Sequence, residues 1–203
     1  GQPNTRERLV SAAFDLFEER GYEAASVDDI AARARVGRTT AFRQFGSKEA
    51  LIFPDHEALL HRADERLSTV PADAVPAEVI AVATSVFEHY LAEGERARTR
   101  YRLTRSVPAL RDFETAVMSR YVRLFTKHLR TAQTGDWTAD LRSELFANAV
   151  VAAHNHVLRR WLRGDVTNPR SDLAEALAAT WPIYRGGGGR TAVVVMSTDE
   201  PIE

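Results

Sequence analysis

The chain has 203 residues, 27 Lys and Arg against 28 Asp and Glu for a formal net charge of −1, and no cysteine. With 44% hydrophobic and 27% charged residues it reads as an ordinary globular protein of one large domain, or of one large and one small. The missing thiols exclude disulfides, cysteine nucleophiles, iron–sulfur clusters and cysteine-based zinc sites, and no apolar run approaches the ~20 residues of a membrane helix or forms a signal-peptide core, so a cytoplasmic protein without membrane contact is expected.

Helix signals fill the chain from its start. Asn4 followed three residues later by Glu7 is a capping box, and Leu9, Ala13, Leu16 and Phe17 mark one apolar helical face ending at Gly21. Ser26 caps a second, short helix, with Asp28 and Asp29 in the first turn, where the helix dipole favours negative charge. Arg35-Val36-Gly37 breaks it, a third short helix runs from about Arg38 to Phe45, and Ser47 caps the next. Longer helices are predicted at 47–69 (kinked or restarted at Pro54), 76–93, 95–106, 109–133, 138–163 and 171–184. After these, Gly186–Gly189 is a flexible linker, and Ala192–Met196 is the one β-like segment, either part of a disordered tail or a strand that docks elsewhere.

Three short helices with a tight break between the second and third have the form of a helix-turn-helix. Arg33, Arg35, Arg38, Arg43 and Lys48 lie between residues 33 and 48 with no acid among them, although residues 1–50 hold eight basic and eight acidic residues. Such a local patch neutralises phosphates without making the whole protein basic; a solvated helix face would also account for it.

The segments Gly21-Tyr22-Glu23-Ala24-Ala25-Ser26-Val27-Asp28-Asp29-Ile30-Ala31 and Val36-Gly37-Arg38-Thr39-Thr40-Ala41-Phe42-Arg43-Gln44-Phe45-Gly46-Ser47-Lys48-Glu49-Ala50-Leu51 resemble the DNA-binding domain of the TetR family of bacterial repressors. The resemblance covers about fifty residues. It implies an all-α protein: a three-helix DNA-binding domain over 1–47, a larger helical ligand-binding and dimerisation domain over 48–184, and a tail over 185–203. It also implies double-stranded operator DNA and a second copy of the chain as partners, an organic small-molecule inducer, no cofactor and no enzymatic activity. Carried over by position, it places Arg38 to Gln44 on the recognition helix. Arg38 and Arg43 can fork onto guanine or hold phosphate, Gln44 can pair with adenine, and Thr39 or Thr40 can touch a thymine methyl or a phosphate. Lys48 and the N–H groups after Ser47 are expected to anchor phosphate, and Ser26 to do the same at its own helix start.

Four residues depart from the family's pattern. Arg35 stands where a turn glycine is usual, which costs strain if φ is positive there. Gly37 replaces a serine cap, Gln44 replaces a frequent histidine, and Phe42 replaces a common tyrosine, losing the hydroxyl that reaches phosphate and packing instead as core.

In the second half, the helix at 138–163 is apolar around nearly its whole circumference, with only Asn148, Asn155 and Arg159 as a polar strip. It needs burial on more than one side, and with 171–184 beside it a second subunit can supply one of them; an internal helix of a monomer is the other solution. His156, beside Leu145, Ala149 and Ala152, with His128, Tyr121 and Phe125 on 109–133 and Phe87 and Tyr90 on 76–93, composes either an apolar ligand cavity with a few polar points or a plain core. Enzyme motifs fail on geometry: His154 and His156 point about 200° apart on a helix and cannot share a metal. Glu57 and His61 lack a third ligand and read as a surface pair. The arginines at 96, 98, 100, 102 and 105 cover several faces and read as a solvated basic helix rather than an anion site. A ligand-responsive repressor is therefore the expectation; a helical small-molecule protein or enzyme without DNA contact is the alternative.

Overall fold

The computed structural model describes residues 4–133 and 135–186. Among the described residues ten α-helices follow one another: α1 Thr5–Arg20, α2 Val27–Arg33, α3 Arg38–Phe45, α4 His56–Thr69, α5 Val75–Glu93, α6 Glu95–Ser106, α7 Pro108–Ala132, α8 Trp137–Arg163, α9 Pro169–Ala178 and α10 Trp181–Arg185. There is no strand among the described residues, and the segment from Gly187 onward, with the β-like Ala192–Met196, lies outside them.

Local chemistry sets the first boundaries. Asn4 accepts from the N–H of Glu7 at 2.9 Å while the Glu7 carboxylate accepts from the N–H of Asn4 at 2.8 Å. Ser26 and Asp29 repeat the box on α2. The α2 stop is a Schellman closure: the N–H of Val36 reaches the carbonyl of Ala31 at 2.9 Å, and that of Arg35 reaches Ala32 at 3.1 Å. This geometry puts Arg35 at φ 54°, in the left-handed region anticipated from the missing glycine. A side chain there costs about 1 kcal/mol, so Arg35→Gly should raise stability by about that amount in chemical denaturation; an unchanged or lower midpoint would contradict the strain. Gly37, at the start of α3, provides no side-chain cap.

Two of the long predicted helices are each divided. The segment 47–69 is a 3-10 turn over Glu49–Leu51, an irregular link, and then α4, whose first turn is capped by Asp55 accepting from the N–H of Ala58 at 3.1 Å. Pro54, which has no N–H to donate, sits in the link. The segment 171–184 parts into α9 and α10 because Pro182 is tolerated only in a first helical turn.

Two apolar clusters result. Leu9, Leu16 and Phe17 of α1, Ile30 of α2 and Ala41 of α3 pack with Leu51, Ile52 and Phe53 of the link and with Val107 and Leu110 at the start of α7. The larger cluster joins α4, α5, α7, α8 and α9 around Phe87, Phe125, Phe146, Val150 and Leu173. The first cluster thus reaches past residue 47, and its link residues stand against the second.

Candidate nucleic-acid interface and internal cavity

Helix α3 is held by its inner side, where Ala41 is buried, while Arg38, Thr39, Phe42, Arg43 and Gln44 are exposed and Thr40 is half-buried. Arg43 and Arg35 form no ion pair among the described residues, and Arg38 meets Asp28 at 3.1 Å in an exposed pair that is easily exchanged for another anion. Phe42 does not pack as core: eight residues of helix bury only one side, and the residue is 43% exposed with the Arg38 guanidinium 5.6 Å from its ring centre.

Three of the remaining polar residues already have partners within the chain, Lys48 half-buried and Arg33 and Ser26 at the surface. Arg33 is forked by Glu19 at 2.7 and 2.8 Å and ties α2 to α1. Lys48 turns inward, donating to the Tyr22 carbonyl with its ammonium 4.0 Å from the Tyr22 ring centre, and burial lowers its pKa. Ser26 spends its hydroxyl on Asp29 within the capping box. Beyond Ser47 the chain forms only a three-residue 3-10 turn, with Ser47 Oγ accepting from the N–H of Ala50 at 3.3 Å, so no free helix start is offered to phosphate. Of the five cations between residues 33 and 48, Arg35, Arg38 and Arg43 are exposed and not held by a bidentate or inward contact.

Between α4, α5, α7 and α8 lies a narrow cavity of about 50 Å³, lined by Phe53, His56, Tyr90, Tyr121, Phe125, His154 and Asn155 together with aliphatic side chains. His56 sits between two phenols, its Nδ1 3.2 Å from Tyr121 Oη and its Nε2 3.5 Å from Tyr90 Oη. Burial, helped by the nearby Arg100, pushes the His56 pKa down to about 3, and burial pushes His154 down to about 4, so both imidazoles are neutral. Burial also pushes Tyr90 up to about 12. Nδ1 of His154 lies 3.1 Å from Asn155 Oδ1, and its Nε2 has no partner among the described residues.

Of the residues expected at a ligand site, Tyr90, Tyr121 and Phe125 line this cavity. Phe87 is fully buried behind it, edge-on to His154 at 5.7 Å. His128 is buried but does not line the cavity; it lies where α7 meets α4, with its Nε2 2.6 Å from Asp64. Ala152 and His156 are exposed on the far side of α8. The imidazole at the cavity is His154, two positions earlier and 200° around the helix. Glu57 and His61 are not partners: Glu57 is forked by Arg120 at 2.6 and 2.7 Å and His61 meets Glu65 at 3.4 Å.

Arg100 also departs from its expected place. It is 3% exposed rather than solvated. Its Nε donates to the Ile52 carbonyl, its two Nη atoms each donate to a Glu93 carboxylate oxygen at 2.7 Å, and its guanidinium lies 5.4 Å from the Tyr90 ring centre. The cavity wall and the link to α3 therefore share Phe53, His56 and, through Arg100, Ile52. On the outside, α8 exposes Trp137 (74%), Leu141 and Leu145, and α9, which packs along α8, exposes Ala174 and Ala178.

Comparison with known proteins gives two family matches. Residues 9–63 match the model of the bacterial regulatory proteins of the tetR family, and residues 69–182 match that of the MftR C-terminal domain. A Mycobacterium tuberculosis protein named for transcriptional regulation of mycofactocin biosynthesis, MftR, is 27% identical over 190 residues, 90% of each chain. An HTH-type transcriptional repressor of the same species is 36% identical over 80 residues, 39% of this chain and 40% of its own. Among solved structures, that of a SmeT–triclosan complex shares the fold, with a TM-score of 0.65 at 20% identity over 98% of this chain and 99% of its own.

Proposed function

This chain belongs to the TetR family of bacterial regulatory proteins and is a transcriptional regulator, and from that premise we propose that it represses as a homodimer that lays α3 of each copy in the DNA major groove and is released by a ligand in the internal cavity. The observation that carries the reading is the outward row Arg38, Thr39, Arg43 and Gln44 on a helix braced from behind by Ala41. Arginine suits guanine or phosphate and glutamine suits adenine, while Phe42 offers apolar contact to a thymine methyl. Ser26 and Lys48 contribute to phosphate contact only by exchanging their present partners. The first three helices form the DNA-binding domain, and the helices from α4 to α10 form the ligand-binding and dimerisation domain. The exposed apolar stripe of α8, with α9 beside it, supports a second copy as its cover, since a contiguous apolar face left in water favours association.

Release follows from shared walls. A cavity of about 50 Å³ is smaller than any drug-sized molecule, so a ligand enters by moving what surrounds it. Phe53 and His56 flank Pro54 in the link between the two packed clusters, so displacing them re-aims α3. Ligand thereby shifts the population away from the dimer whose two α3 helices match half-sites ~34–36 Å apart.

The test is footprinting on the DNA upstream of the chain's own gene. Wild type should protect a two-fold symmetric site. Arg43→Ala should bind it at least about 30-fold more weakly, two copies each losing about 1 kcal/mol or more, with the dimer intact. Equal protection by the variant would remove α3 from the interface.

A further inference from the structure

We propose that the cavity selects a molecule with an apolar body and one hydrogen-bond donor, an alcohol or a phenol, whose O–H is donated to Nε2 of His154. This rests on the reading of the cavity as the ligand site and adds the chemical class of the ligand.

The neighbours of His154 fix its tautomer. The imidazole is nine-tenths buried and neutral. Its Nδ1 faces the carbonyl oxygen of Asn155, which only accepts, so Nδ1 carries the proton. The Asn155 amide cannot turn around freely, because its Nδ2 donates to Met118 Sδ at 2.8 Å. Nε2 is therefore a bare acceptor, and no group among the described residues donates to it. A buried acceptor without a donor is costly, and a ligand that brings one recovers that cost.

The other polar groups of the cavity leave this point alone. His56 is bracketed by the hydroxyls of Tyr121 and Tyr90, so both of its own ring nitrogens are engaged, one accepting from a phenol and the other donating to one. Glu114 stands at the exposed rim. A carboxylate entering the cavity would present only lone pairs to Nε2, and a plain hydrocarbon would leave Nε2 unpaired. A hydroxyl on an apolar frame suits both the wall and the unpaired acceptor, which a ligand reaches by parting the contacts that now bury it.

The experiment compares p-cresol, p-xylene and p-toluate, which share a frame and differ in donor and charge. Each is titrated into the full-length protein and into His154→Phe, with affinity read by calorimetry. The imidazole nitrogens of wild type, labelled with ¹⁵N histidine, are followed by NMR in parallel. The p-cresol to p-xylene affinity ratio should fall about tenfold in His154→Phe. The Nε2 signal of His154 should move toward its hydrogen-bonded value with p-cresol alone, and p-toluate should be the weakest of the three. If p-cresol and p-xylene bind with the same ratio in both proteins, or Nε2 does not move, the donor assignment is wrong while the cavity reading stands. If no probe binds, or all bind without touching any cavity histidine signal, both readings fall. The NMR arm needs no variant, so a His154→Phe protein that failed to fold would leave the proposal exposed to refutation.

Discussion

Replacing Leu141 and Leu145 together by Asp is expected to yield a folded monomer that no longer protects its DNA site. Both leucines are 44% exposed and follow Trp137, 74% exposed, at four-residue steps along the outer side of α8. Two-fold symmetry uses the same patch on both copies, so each change acts twice. Four leucines losing about 1 kcal/mol each, with charges then forced into an apolar contact, remove at least ~4 kcal/mol, which is about a thousandfold in association. A monomer keeps one α3, loses the gain from binding two half-sites at once, and so falls by about two decades or more in affinity. Sedimentation reads the first effect and footprinting the second. Because the substituted side chains lie outside both apolar clusters, the helical signal should persist. A dimer of unchanged strength would place the interface elsewhere.

Arg100→Met is expected to cost about 3–5 kcal/mol of folding stability, because it strands the partners of a buried charge. In the wild type a single guanidinium satisfies the Glu93 carboxylate through both Nη atoms and the Ile52 carbonyl through Nε. Glu93 terminates α5 and Ile52 lies in the link beside α3's core, so the loss falls where the two clusters meet. Arg100→Lys should fall between, since an ammonium keeps the charge but cannot form the fork. Urea denaturation at constant slope is the measurement. A loss below about 1 kcal/mol for Arg100→Met would mean that the fork is not a structural tie, and the route from cavity to link through Tyr90 and Ile52 would lose its support.

These residues also mark where the sequence is legible and where it is not. Caps, stops and the helix-turn-helix are local, and Asn4, Ser26, Arg35 and Gly37 behave as their chemistry dictates. The left-handed φ at Arg35 is the clearest case, since one missing glycine is enough to anticipate it. Helix 138–163 marks the limit. Its periodicity correctly groups Leu145, Ala152 and His156 on one side, but a helix apolar all round does not say which side meets the core. Those residues face outward, and Phe146, Val150 and His154 face inward. Arg100 fails for a related reason. Five arginines at nearly alternate positions look equivalent in sequence, and only the arrival of Glu93 and Ile52 singles out one for burial. Lys48 and Arg33 count as free charge in a sequence tally until Tyr22 and Glu19 claim them. The cavity's own polar point, the bare Nε2 of His154, depends on a neighbour's amide orientation that no spacing rule encodes.

The most direct test of the central claim is an anisotropy titration of wild type on the footprinted duplex. It is repeated on the same duplex with five base pairs inserted between the half-sites, across a salt series. Two α3 helices fixed in one dimer require half-sites on the same face of the DNA, and five base pairs is about half a turn. The account predicts tight binding to the first duplex that weakens linearly on a log–log plot with salt, and only non-specific affinity for the second. Equal affinity for both duplexes, or binding indifferent to salt, would contradict it.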